Sequence, residues 1–226
     1  MRVLGLDTAT WRASVGLVAD GTILAERSRR AEGNHAVSLL PLIEETLSSA
    51  GWSVGSLDAV AVSSGPGSFT GLRIAMSVAK GLACATGLRV VAVPTLEALA
   101  HTVSERSGLI CVVLDARKGE IYNACFESDH DGVRRRTSDQ LTTPAALLDT
   151  LPVPCTVLGD AVVAYGDLLR AHFGERITIL PYDTHGPRGG VVARLGYERL
   201  QSGAAADAAA LEPQYIRPSD AERNFT

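Results

Sequence analysis

The sequence predicts an α/β protein made of two successive halves, each with a mixed sheet flanked by helices. Short apolar strands alternate with segments of helical spacing along the chain, and each half opens with a β-hairpin. Apolar residues occupy 46% of the 226 positions, which is enough to bury the cores of two domains. We therefore expect an N-terminal domain at 1–104 and a smaller C-terminal domain at 105–226.

The first half begins with a hairpin and continues with alternating helices and strands. Asp20-Gly21 is typical of a two-residue hairpin turn, because glycine adopts positive φ without strain. Gly51 and Gly87 are typical helix stops, and Ser68 or Thr70 suits the N-cap of the second helix. The expected strands lie at 3–6, 13–17, 57–63 and 88–93, with a return strand that begins at Ile23, and the expected helices lie at 35–50 and 71–86.

The second half repeats this plan. Its opening hairpin turns at Arg117-Lys118-Gly119, and a polar arm is expected over 128–142. The charged residues Asp115, Arg117 and Glu120 cluster at this hairpin, and we assign no chemical role to them. The expected strands lie at 109–116, 119–127, 155–158 and 177–180, and the expected helices lie at 144–151, 160–172 and 190–202.

Charge and hydropathy exclude several classes of protein. The net charge is −4 and the isoelectric point is about 5.7, whereas a dedicated nucleic-acid binder usually carries a strongly basic domain. The arginine clusters at 27–30 and 134–136 are typical of solvated faces. No apolar run is long enough to span a membrane, and no leader is evident, so we expect a cytoplasmic protein. The four cysteines are widely spaced and are expected to pack as small hydrophobic residues.

The glycine-rich stretch SSGPGSFTGLRIA at 63–75 connects a buried strand to a helix. Backbone N–H groups at a helix N-terminus can bind phosphate, but a tight turn between strand and helix also requires glycine. The stretch matches neither phosphate-binding consensus, because no lysine follows the loop. Tight-turn packing is the favoured interpretation. A phosphate site would use Asp7, Thr8, Gly65, Gly67, Ser68, Thr70 and Gly71.

We predict no catalytic residue and no metal ligand. The five histidines show neither i, i+4 spacing nor the H-E-x-x-H pattern, and no G-x-S-x-G elbow is present. The sequence thus contains the loops of a nucleotide-binding fold without an evident reaction centre.

Five segments together resemble the bacterial TsaB (YeaZ) family. They are DTAT at 7–10, SSGPGSFTGLRIA at 63–75, VPTLEALA at 93–100, LDARKGEIYNACF at 114–126 and PQYIRPSDAE at 213–222. The resemblance covers nearly the whole chain. It implies an actin-like, sugar-kinase-like (ASKHA) fold and a role in making threonylcarbamoyladenosine beside the tRNA anticodon.

The resemblance further implies a non-catalytic subunit that dimerises with a TsaD-like transferase and is joined by a TsaE-like ATPase. Thr95 and Leu99 stand where the transferase has the two histidines of its metal-binding H-x-x-x-H, and neither side chain can replace an imidazole ligand. The chain is expected to require no cofactor of its own. Binding of ATP or ADP at an interface shared with the partner is kept as an alternative. The chain would contact tRNA only as part of the complex.

The two helices of the first half are expected to supply the partner surface. Small residues four apart on the second helix form a ridge that would allow close helix approach, so Ala79→Arg should abolish partner binding without unfolding the chain. The same helices could pair in a homodimer. The predicted surface comprises Val37, Leu40, Leu47, Gly71, Leu72, Ala75, Met76, Ala79 and Ala83.

Two other functions are kept as alternatives. One is an ATP-dependent small-molecule kinase, which would need a second phosphate loop and an adenosine pocket. The other is a metal-dependent, glycoprotease-like peptidase, which would need metal ligands. The sequence has clear versions of neither.

Overall fold

A computed structural model of the chain describes residues 1–31, 35–203 and 211–216, without the side chains of 35–37. The chain forms two compact units. Unit 1 contains Met1–Ala98 and Pro187–Gln214, and unit 2 contains Leu99–Gly186 with the described residues that follow Gln214. No helix among the described residues has the length and hydropathy needed to cross a membrane.

Unit 1 contains a five-stranded mixed sheet in the order β3-β2-β1-β4-β5. The first three strands are antiparallel, and β4 and β5 continue in parallel from β1. The β2–β3 turn has positive φ at Asp20 and Gly21, as the sequence predicted. The strands are β1 (Arg2–Asp7), β2 (Arg12–Ala19), β3 (Thr22–Arg30), β4 (Ala59–Ser63) and β5 (Arg89–Val93).

Helices cover both faces of this sheet. Because successive side chains on a strand point to opposite faces, Leu4 and Val3 belong to two different cores. Leu4 packs with the first two helices, and Val3 packs with the last helix of the chain. The helices are α1 (His35–Ser49), α2 (Phe69–Thr86), α3 (Thr95–Ala100) and α7 (Gly189–Gln201). Helix α3 begins in unit 1, and α4 to α6 belong to unit 2.

The last helix corrects the expected domain boundary. The range 105–226 assigned it to the second domain, but α7 returns to the first sheet. Glycines permit this contact: a Cβ on Gly5 would lie 2.1 Å from the Gly189 carbonyl oxygen, and a Cβ on Gly16 would lie 2.0 Å from the Gly190 nitrogen. The backbone of α7 therefore contacts the backbone of β1 and β2 directly, at positions where a side chain would prevent the contact.

Unit 2 contains a six-stranded sheet in the order β11-β10-β6-β7-β8, with β9 also paired to β7. The expected polar arm contains two short strands, because residues 132–135 and 140–142 both pair with β7. The strands are β6 (Gly108–Arg117), β7 (Glu120–Asp129), β8 (Gly132–Arg135), β9 (Gln140–Thr142), β10 (Cys155–Leu158) and β11 (Ile177–Ile179). The helices are α4 (Pro144–Thr150), α5 (Ala161–Phe173) and α6 (Tyr182–His185).

Candidate functional site

The glycine-rich loop between β4 and α2 is held by hydrogen bonds to β5, to the start of α3 and to Gln214. The Gly65 N–H donates to Thr95 Oγ1 at 3.1 Å, and the Gly65 carbonyl accepts from the Thr95 N–H at 2.9 Å. Ser64 pairs with Val93 on one side and with Gln214 on the other. Ser68 caps α2 by accepting the Gly71 N–H at 3.2 Å. The loop therefore has a fixed conformation set by unit 1 itself.

The Asp7–Thr10 turn packs directly against this loop. The Ser68 N–H donates to the Ala9 carbonyl at 2.6 Å, and Thr8 Oγ1 donates to the Gly71 carbonyl at 2.7 Å. A Cβ on Gly67 would lie 2.5 Å from the Ala9 carbonyl oxygen, and one on Gly71 would lie 2.0 Å from the Thr8 carbonyl oxygen. Both glycines are needed for this contact between two protein segments.

Asp7 is buried and has its partners within unit 1. Its carboxylate accepts hydrogen bonds from Ser63 Oγ and from the Ala9 N–H, the latter at 3.0 Å. Burial raises the pKa of Asp7, and the hydrogen bonds from Ser63 and Ala9 oppose that shift. These contacts give Asp7 a structural role at the end of β1.

The structure brings most of the predicted phosphate-site residues together, and it fills the space between them with protein contacts. Carbonyl oxygens of the Asp7–Thr10 turn face the start of α2, where a phosphate would need N–H donors. Thr70 is exposed on the first turn of α2. This arrangement favours the tight-turn interpretation of the glycines. Phosphate binding stays a prediction.

The predicted partner surface requires a correction, because most of its residues face the core of unit 1. Ala79 is 0% exposed and packs in the same cluster as residues of α1 and of the sheet. Spacing by four placed the small residues on one helix face, and that face lies on the chain's own sheet. The buried residues are Leu47, Gly71, Leu72, Ala75, Met76, Ala79 and Ala83. Leu40 is 56% exposed, and the side chain of Val37 lies outside the described residues.

The opposite face of α2 also carries small residues four apart, and sequence reasoning missed it. Ser77, Gly81 and Ala85 are all exposed, and a Cβ on Gly81 would meet no atom within 4 Å. An apolar groove of about 290 Å³ is formed mainly by α1 and the residues that follow it, and α2 contributes Leu82, the neighbour of Gly81 in sequence. It is lined by Leu40, Ile43, Glu44, Leu47, Ser48, Trp52, Ser53, Val54 and Leu82. The spacing of the second ridge was visible in the sequence, but its exposure was not.

In unit 2 the β6–β7 hairpin is held by a partly buried carboxylate, Asp160, which the sequence analysis did not identify. Asp160 Oδ1 accepts the Asp115 N–H at 2.8 Å, and Asp115 in turn accepts the Arg117 N–H at 2.8 Å. Burial and the nearby Asp115 carboxylate raise the pKa of Asp160 to about 6, opposed by hydrogen bonds and by Arg117. Arg117 and Lys118 both have positive φ, which costs an L-residue about 1 kcal/mol. The signal in the sequence was the Gly159-Asp160 pair after a strand.

Most side chains of the two arginine clusters have a partner. In the second arginine cluster, Arg134 bridges to Asp129, Arg135 to Asp139 and Arg136 to Glu127. In the first cluster Arg29 pairs with Glu45, and the Arg30 guanidinium lies 4.8 Å from the Trp11 ring centroid. Across residues 1–31, 35–203 and 211–216, one group could hold a metal ion, the exposed turn Asp129, His130 and Asp131. Arg134 already occupies this turn, and the prediction of no metal ligand stays a prediction.

Comparisons with known proteins agree with this architecture. The family model of TsaD, tRNA N6-adenosine threonylcarbamoyltransferase, matches residues 27–225. The chain is 30% identical over its whole length to the tRNA threonylcarbamoyladenosine biosynthesis protein TsaB of Bacillus subtilis (strain 168), 98% of which is covered.

Comparison with solved structures identifies the fold. A crystal structure from Pseudomonas aeruginosa, described as an uncharacterized protein with similarity to peptidase YEAZ, matches with a TM-score of 0.80 at 27% identity, covering 96% of this chain and 99% of that chain. Component A of (R)-2-hydroxyglutaryl-CoA dehydratase from Acidaminococcus fermentans matches with a TM-score of 0.55 at 10% identity, covering 89% of this chain and 99% of that one. At 10% identity the second match concerns the fold alone. The predicted ASKHA fold is confirmed.

Proposed function

This chain belongs to the TsaB family of tRNA threonylcarbamoyladenosine biosynthesis proteins, and from that premise we propose that it is a non-catalytic partner subunit of the transfer reaction. It dimerises with a TsaD-like transferase, which moves the threonylcarbamoyl group to the adenosine beside the tRNA anticodon. A TsaE-like ATPase joins the pair, and tRNA reaches this subunit only through the complex. The proposed compartment is the cytoplasm.

The observation that carries the non-catalytic role is the identity of Thr95 and Leu99. Both side chains are buried, and Thr95 Oγ1 accepts a hydrogen bond from the Gly65 N–H. An alkyl group has no lone pair for a metal ion, and a neutral hydroxyl is a poor substitute for imidazole. The two positions that the resemblance aligns with metal-binding histidines therefore serve packing and loop geometry here.

The packed Asp7–Thr10 turn supports the same role. Its carbonyl oxygens lie against the start of α2, so nucleotide phosphate would first have to displace protein contacts in unit 1. We propose that this chain alone requires no nucleotide. Any ATP or ADP that it contacts would lie at an interface shared with the partner.

We propose that the partner binds the apolar groove lined by residues of α1 and α2 together with the exposed ridge Ser77, Gly81 and Ala85. Leu40 of α1 lines this groove and is more than half exposed, and Leu82 of α2 also lines it. An exposed apolar groove of this kind is typical of a protein interface. Small residues on the ridge allow a second helix to approach closely.

Gly81→Arg tests this surface without disturbing the fold. The side chain would project into open space, and replacing glycine in a helix interior stabilises the helix by about 1 kcal/mol. Size-exclusion chromatography with light scattering on a mixture with the TsaD-like paralogue of the same organism should give a heterodimer for the wild type. We expect at least about tenfold weaker association for Gly81→Arg, which corresponds to about 1.4 kcal/mol.

Ala164→Arg is the matched control. Ala164 is exposed on α5 of unit 2, so the same side chain enters a helix surface outside the proposed interface. Equal association of Gly81→Arg and the control would contradict the proposed surface. Ala79→Arg is unsuitable, because a guanidinium at this fully buried position would unfold unit 1.

A transfer assay tests the role itself. Threonylcarbamoyl transfer to tRNA should require the transferase, should be stimulated by this chain, and should be absent with this chain alone. Transfer that is unaffected by omitting this chain would overturn the proposal. ATP turnover or peptide cleavage by the isolated chain would instead support the kinase or peptidase alternative.

A further inference from the structure

Three of the four cysteines lie together in the core of unit 2. Cys111 is on β6, Cys125 on β7 and Cys155 on β10, and all three are buried and unbonded. Cys84, the fourth, is exposed on α2 of unit 1. The cluster is separate from every surface used in the proposed function.

Cys111 and Cys125 are directly opposite each other in the β6–β7 ladder, and their sulfur atoms are 2.9 Å apart. The Cys125 N–H donates to Thr137 Oγ1 at 2.8 Å, and its carbonyl accepts from the Arg136 N–H at 2.8 Å. Both backbone groups of Cys125 therefore point away from β6. This makes the two cysteines a non-hydrogen-bonded antiparallel pair.

Such a pair has the backbone spacing that a disulfide needs. Opposite Cα atoms in non-hydrogen-bonded positions are about 4.5 Å apart, and disulfides join Cα atoms that are about 4.4–6.8 Å apart. The sulfur atoms would have to approach by roughly another 0.9 Å to reach bonding distance. Side-chain rotation can supply that movement without moving either strand.

We propose that Cys111 and Cys125 are a thiol-oxidation site, and that hydrogen peroxide oxidises this pair to a reversible cross-strand disulfide. A thiolate attacks one peroxide oxygen, so that an S–O bond forms, the O–O bond breaks and water leaves after protonation. The second thiol then attacks the sulfenic sulfur, so that the S–S bond forms, the S–O bond breaks and a second water leaves. The two thiols are oxidised by two electrons, and the peroxide is reduced to two waters.

Exposure assigns the order of these steps. Cys125 is 6% exposed and Cys111 is 1% exposed, so a small oxidant reaches Cys125 first. The hydrogen bonds with Cys111 and Thr137 also lower the pKa of Cys125, which favours its thiolate. Cys125 is therefore the attacking thiolate, and Cys111 resolves the sulfenic acid.

The experiment uses the full chain in a Cys84→Ser background, which removes the exposed thiol. After treatment of the folded protein with hydrogen peroxide, intact mass spectrometry should show loss of two hydrogens, and peptide mapping should link Cys111 to Cys125. Dithiothreitol should reverse the change. A second substitution, Cys111→Ser, should abolish the link, and Cys155→Ser should retain it.

A folding measurement accompanies the mapping. The cross-link joins residues 14 apart in sequence, so the oxidised chain should unfold at a higher temperature than the reduced chain. If Cys111→Ser does not fold, Cys111→Ala takes its place, and peptide mapping of the Cys84→Ser chain still decides the result. Free thiols at both positions after peroxide treatment, or a link that excludes Cys111, would overturn the proposal.

Discussion

Gly16→Ala is the sharpest test of the return of α7 to the first sheet. The added Cβ would lie 2.0 Å from the Gly190 nitrogen, and 3.4 Å is the lower limit of ordinary contact. The N-terminus of α7 would have to move by about 1.4 Å. Movement of that size would weaken two hydrogen bonds, from the Gly189 N–H to Ser14 Oγ at 2.8 Å and from the Gly190 N–H to Glu26 at 2.9 Å.

The expected loss of stability follows from these contacts. Overpacking costs about 1–3 kcal/mol, and each weakened hydrogen bond costs about 1 kcal/mol, so the free energy of unfolding should fall by about 3–5 kcal/mol. Both tryptophans, Trp11 and Trp52, lie in unit 1, so tryptophan fluorescence during urea denaturation reports on this unit. Gly81→Ala is the control, because its Cβ meets open space and the helix should gain about 1 kcal/mol.

A loss of less than about 1 kcal/mol for Gly16→Ala would refute the reasoning. It would mean that α7 does not pack tightly against β2, and it would favour the expected domain boundary at residue 104. Gly5→Ala provides an independent check, because its Cβ would lie 2.1 Å from the Gly189 carbonyl oxygen. The two losses should not add, because both substitutions displace the same helix end.

Two further predictions concern the carboxylate and hydroxyl that hold the loops. The pKa of Asp160 is raised from 3.8 to about 6 in the folded state. Protonated Asp160 therefore contributes to the free energy of unfolding, fully below about pH 4, and this contribution is lost as the pH rises through about 6. Urea denaturation at several pH values should show Asp160→Asn gaining up to about 3 kcal/mol over the wild type between pH 4 and 7, and a pH-independent difference would contradict this. Thr95→Ala should lower the free energy of unfolding by about 1–3 kcal/mol, because the buried Gly65 N–H loses its acceptor, whereas Thr95→Ser should retain most of it.

The exposed and buried ridges of α2 show what helical spacing could and could not predict. Spacing by four assigned Gly71, Ala75 and Ala79 to one helix face, and that part is confirmed by their common burial. The same spacing also places Ser77 and Gly81 on one face. Small residues suit close packing on a sheet as well as on another helix, so their size could not decide which face meets the core. Only the position of α2 over β1 and β4 decided it.

Local sequence determined most of the elements, although the short elements β8, β9, α3 and α6 were not predicted. Strand alternation, helical spacing and the Asp20-Gly21 turn act over a few residues, and the strands and helices that they predicted are present in the structure. The resemblance carried by the DTAT, GPGSFTGLR and DARKGEIY segments likewise needed only the order of residues. These signals are local because backbone conformation and side-chain periodicity are set by neighbours in the chain.

Tertiary structure alone decided which distant residues meet. The return of α7 brings Gly189 against Gly16, and strand register brings Cys111 against Cys125. The hydrogen bond from the Asp115 N–H to Asp160 depends on the docking of α5 beside β6, and no periodicity in the sequence predicts that contact. Such pairings result from the packing of whole elements, where glycine and register set how closely two backbones approach.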